Sequence, residues 1–241
     1  MLVELFLRLI EWFFLWFLIW GGAYGLEKIG IDYFKRYYFV SAYFLAVSIG
    51  LMFIFYNDLF PLVNFSLAII PFILIPVTFI INVLAYAVIR RLPRPIKFLD
   101  KYSKVAFIKH DYRFLASKSF EILYQQILIA LLAIWLYDLG LPLYQIVILF
   151  AIIFGLGHVY LLIDQGKFFG LFFTIASILS SVVFPVLILK VEYGFVYSYV
   201  IHWLFYIISG IYFWTKYGRQ ERMSSHIIPL PFTVGVKKKE F

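Results

Sequence analysis

Cysteine is absent from this chain, which excludes disulfide bridges, thiolate nucleophiles and cysteine metal sites. Charge is scarce. Only 14% of residues are Asp, Glu, Lys or Arg, against about a quarter in an average soluble domain. Long polar stretches are missing as well, so no separate soluble domain has room beside the apolar segments. No internal repeat is visible, which removes the usual sequence sign of an inverted-repeat transporter.

What is present in excess is apolar. Of 241 residues, 64% are hydrophobic and 22% aromatic, with a mean hydropathy of +0.95. That composition predicts an all-α, polytopic helix bundle forming one integral membrane domain over residues 1–241, multi-pass in the cell membrane and in contact with membrane lipids. The net charge of +8 does not point to nucleic acid. The basic residues collect between apolar runs, where they face an anionic membrane surface.

Seven apolar runs are long enough to cross a bilayer: 3–24, 38–56, 61–89, 119–137, 142–163, 168–189 and 195–214. The first carries Glu4, Arg8 and Glu11, spaced to pair along one helix face. It lacks the basic start and small-residue cleavage site of a signal peptide, so it reads as a retained span. The third contains Pro71 and Pro76, which kink a membrane helix and free backbone carbonyls. Residues 90–118 form a basic stretch with interleaved apolar side chains, predicted to lie on the membrane surface and to be partly helical. Residues 216–241 form a polar tail. Loops on one side hold all but two of the 21 Lys and Arg residues, the exceptions being Arg8 and Lys190. The imbalance places the N-terminus outside and the C-terminus in the cytoplasm.

Polar residues inside the spans are few and correlated in depth. Ser117, Glu121 and Gln125 share a face of the fourth span, with Gln126 about 100° further round. His158 follows two glycines near the end of the fifth. Ser198, His202, Tyr206 and Ser209 make a polar stripe on the seventh. With alternating span directions, Gln125, Glu121, His158, His202 and Tyr206 all fall in one band of depth. Each side chain alone fits inter-helix hydrogen bonding, worth about 0.6–2 kcal/mol per bond. As a set at matched depth they point to a site. Zinc held by the two histidines and Glu121 is a further alternative, but the histidines lack the i, i+4 pairing of a helical metal site. No metal and no cofactor is therefore expected.

The order and spacing of three segments resemble the CPBP family, intramembrane proteases that include the type II CAAX prenyl endopeptidases. That family carries EExxxR, then FxxxH, then HxxxN two helices later. Here the second motif is intact as Phe154-Gly155-Leu156-Gly157-His158. The third is His202-Trp203-Leu204-Phe205-Tyr206, with Tyr in place of Asn. The first begins at Gln125-Gln126, with both glutamates replaced and Ala130 where the arginine stands. The resemblance covers residues 95–215. It implies an intramembrane peptidase site of Gln125, His158, His202 and Tyr206, with a prenylated peptide or a membrane protein as partner. In the family the glutamate activates water. A neutral amide cannot take a proton, whereas a tyrosine can still donate to an oxyanion. The sequence thus predicts a degenerate relative that binds or scaffolds membrane proteins. Two alternatives stand beside it: an active endopeptidase with Glu121 as the base, and a small transporter or channel.

Overall fold

In a computed structural model, residues 2–60 and 75–226 are described. The first part of the third predicted span, with Pro71, lies outside them, as does the end of the tail from residue 227 onward. Every regular element among the described residues is helical. In chain order they are α1 (Leu2–Lys28), α2 (Tyr37–Ile54), α3 (Tyr56–Leu59), α4 (Ile75–Ile89), α5 (Ile96–Lys101), a 3₁₀ turn (Ala106–Lys109), α6 (Tyr112–Asp138), α7 (Leu143–Val159), α8 (Leu161–Asp164), α9 (Gly166–Lys190) and α10 (Gly194–His226).

Five of the segments are long and apolar enough to cross a membrane: α2, α6, α7 with α8, α9, and α10. The outward surface fits that environment. Phe6, Phe53, Phe79, Ile163, Leu179 and Ile208 are all exposed. An apolar surface this extensive is what hydrocarbon, not water, accommodates.

The bundle is organised around α6. Its apolar window is 94% buried, against 22–44% for the other candidate spans. Helices α1, α2, α4, α7, α9 and α10 all pack on it. The sequence accounts for this position. From Ile122 to Leu136 the helix is apolar on every face except at Gln125 and Gln126, and a helix without a polar face belongs in an interior. Asp111 caps its start, accepting from the Arg113 N–H at 2.9 Å.

Helix α6 begins at Tyr112, earlier than the 119–137 span predicted from hydropathy, because its first turns are polar. The basic stretch is accordingly helical at 96–101 and from 112 onward. Its last residue, Lys118, does not face the surface. It is 7% exposed and belongs to the interior.

The chain reverses tightly after α7. Gly166 takes φ 78° between α8 and α9, a conformation open to glycine without strain. One turn on, a Cβ at Gly170 would lie 2.4 Å from the Leu162 Cα, so only glycine lets α8 lie against α9. This hairpin fixes the end of α7, where His158 sits.

Candidate functional site

The site is built on one polar face of α6. Lys118, Glu121 and Gln125 follow at i, i+3 and i+7, a spacing that stacks them along the helix. Glu121 is 1% exposed, and three donors meet its carboxylate. Lys118 Nζ forms an ion pair with Oε1. Gln125 Nε2 donates to the same oxygen at 2.8 Å. Tyr33, from the turn between α1 and α2, donates its hydroxyl to Oε2. Burial and the neighbouring carboxylate push the Tyr33 phenol well above its ordinary value, so it remains a donor. Lys118 also lies over the Tyr206 ring, 4.3 Å from its centre, which ties the α6 face to α10.

His158 faces this cluster from α7. Its Nδ1 is 2.8 Å from the Phe154 carbonyl one turn back. A carbonyl only accepts, so Nδ1 carries the proton and the neutral ring keeps its lone pair on Nε2. The Phe154 ring stands edge-on to the imidazole at 4.6 Å, and Trp16 of α1 packs on it at 5.7 Å. This gives the FxxxH spacing a physical meaning: position 154 supplies both a backbone acceptor and an aromatic wall for position 158.

Lys118, Glu121, Gln125, His158 and Tyr206 line one chamber of about 150 Å³. Among its lining residues Tyr160 and Asp164 are exposed, and Tyr33 of the α1–α2 turn and Ala106 of the 3₁₀ turn line it beside them. His202 does not line this chamber. It lines a second cavity of about 290 Å³ between α7, α9 and α10. The two share His158, Phe173 and Tyr206, so His158 and Tyr206 stand between them. His202 stacks on Tyr206 at 5.8 Å and packs on Phe184 at 5.6 Å, while its Nδ1 has no partner among the described residues.

Of the residues expected from sequence, Gln125, Glu121, His158 and Tyr206 therefore meet in one chamber, and His202 lies in the adjoining cavity. Gln126 turns away. Its Nε2 donates to Ser198 of α10 at 2.5 Å, a bond that holds two helices together. Among the described residues no three His, Asp or Glu side chains converge as a metal-ligand set.

Sequence reasoning missed Lys118 and Tyr33. For Lys118 a signal existed, since it lies one turn before Glu121 on the same face. For Tyr33 there was none, because an 88-residue separation carries no local pattern. The chamber can hold polar groups in a water-poor setting. Its carboxylate is paired with Lys118, and His158 keeps the lone pair of Nε2.

No protein-family model, no curated protein and no solved structure matches this chain.

Proposed function

We propose that this chain is a CPBP-like, CAAX-protease-like membrane protein in the cell membrane whose polar chamber binds a membrane-embedded partner and does not cleave it. In this reading α1 and the segment ending in α4 also cross the bilayer, giving seven spans, with the N-terminus outside and the chamber open to the cytoplasm. The distribution of Lys and Arg between the loops supports that orientation.

One observation carries the binding reading. Glu121 accepts from an ammonium, an amide and a phenol at once. These three contacts engage both carboxylate oxygens within the protein, which leaves Glu121 committed to holding α6 and the α1–α2 turn together. Gln125, where the family has its glutamate, takes no proton at all. In this reading the chamber binds, and its carboxylate has a structural role.

The test is a cleavage assay on the protein in lipid bilayers, with a prenylated CAAX-type peptide and a membrane-spanning peptide as substrates. The expected result is no cleavage, with saturable binding of the peptide. Cleavage that His158→Ala abolishes would overturn the proposal. One observation favours the second reading, an active endopeptidase: Glu121, Gln125, His158 and Tyr206 share one chamber. In that case Glu121→Gln would abolish turnover, whereas a binding site keeps its affinity within severalfold.

A further inference from the structure

The second cavity differs from the chamber in where it opens and in what lines it. Leu179 and Val183 of α9 and Ile201 of α10 form its mouth, and they are 66%, 40% and 42% exposed. Ile175 and Val182 on the same stretch of α9, and Tyr197 and Ile208 on α10, are exposed as well. The mouth thus lies within the apolar outer surface of two helices long enough to cross a membrane. What adjoins it is hydrocarbon, so an occupant arrives sideways from the bilayer.

The walls narrow the chemistry. Phe154, Phe173, Phe184 and Phe205 supply apolar surface. Among the described residues no Lys, Arg, Asp or Glu lines the cavity. Its polar side chains are two histidines, two serines and Tyr206. Ser177 and Ser180 spend their hydroxyls on carbonyls of their own helix, those of Thr174 and Ser177. His202 is 9% exposed and its ring packs on Phe184 and Tyr206, so the walls stay predominantly apolar. A charged end group would find no counter-ion on these walls, and desolvating it is costly. An uncharged apolar chain fits them.

We infer that the cavity between α9 and α10 is a binding site for one acyl chain of a bilayer lipid whose head group stays at the membrane surface. The inference does not depend on whether the neighbouring chamber binds or cleaves a peptide. It does bear on that chamber, because an acyl chain in place would form the wall on which His158 and Tyr206 rest.

The experiment uses the full chain in phosphatidylcholine nanodiscs containing a phosphatidylcholine with a diazirine on one acyl chain. After illumination, labelled residues are mapped by mass spectrometry. Ile175 and Val182, facing bulk lipid, serve as internal controls. Labelling is expected at the buried Ser177 and Phe184 as well. Ser180→Phe, which fills the cavity, should remove the buried labels and leave those at Ile175 and Val182. Leu179→Trp at the mouth is the second variant, since it alters only an exposed position. Thermal unfolding checks that both remain folded. Labels confined to Ile175 and Val182, or buried labels that persist in both variants, would overturn the site.

Discussion

Lys118 and Glu121 form an ion pair one turn apart on α6, with side chains 9% and 1% exposed. Two buried charges make a weak case for net stability, because desolvation offsets most of their attraction. Breaking the pair is another matter. Lys118→Met leaves a buried carboxylate with only Tyr33 and Gln125, and should cost about 3–5 kcal/mol. The double variant Lys118→Met with Glu121→Leu removes both charges and should recover most of that loss. Unfolding of the two single variants and the double variant in detergent checks the coupling. Additive losses would show that the pair acts as two independent groups.

Tyr33 joins a short turn to the centre of the bundle. The turn is already ordered locally, because Asp32 accepts from the Phe34 and Lys35 N–H groups at 2.7 Å. Arg113 holds it from α6 by donating to the Phe34 carbonyl at 3.1 Å. Tyr33→Phe removes only the hydrogen bond to Glu121. A hydrogen bond to a charged group contributes about 1.5–3 kcal/mol, so opening of residues 31–36 should rise about tenfold or more. Amide hydrogen exchange across that turn measures it. Unchanged exchange would mean that Asp32 and Arg113 alone hold the turn over the chamber.

The helical class of this fold was legible in composition and run length, because a bilayer leaves backbone polar groups few other options. The central place of α6 was legible too, in a segment apolar on every face. Its start was not, since Lys118 looks like a surface residue until a tertiary partner is known. Four of the five candidate site residues share a chamber because depth and helical face are both readable from spacing. His202 shows the limit of that reasoning. Matched depth does not decide which side of Tyr206 a ring falls on, and that is set by how α9 and α10 pack. His110 was invisible for a similar reason: nothing local distinguishes it from the polar residues around it.

His110 ends the 3₁₀ turn in a left-handed conformation, φ 46°, and is 3% exposed. Its ring fills the space above Gly210 of α10. A Cβ built on Gly210 would lie 1.2 Å from His110 Nε2. Gly210→Ala must therefore expel a buried ring from its seat, and overpacking of this kind costs about 1–3 kcal/mol. The loss should appear in thermal unfolding. Shortening the ring with His110→Ala in the same chain should make the alanine at 210 nearly free of cost. A Gly210→Ala variant as stable as the parent would mean that the contact between the 3₁₀ turn and α10 is loose.

The same seat makes His110 sensitive to acid. Neither ring nitrogen has a partner among the described residues, and burial lowers the imidazole from its ordinary value of 6.5 to about 4. The nearest carboxylate in sequence, Asp111, is occupied by Arg113 at 2.7 Å. Since the folded value is depressed, the unfolded chain binds more protons between these two values. Stability from this group is complete above pH 6.5 and falls as pH drops toward 4. Over that window the loss should reach about 3 kcal/mol. Unfolding of the parent and of His110→Leu, compared at pH 7.5 and again near pH 4.5, isolates the effect from other titrating groups. The difference between the two proteins should shift in favour of His110→Leu as the solution is acidified. If it stays constant with pH, His110 is hydrated or partnered in the membrane-bound protein, and its contact with Gly210 is not sealed from water.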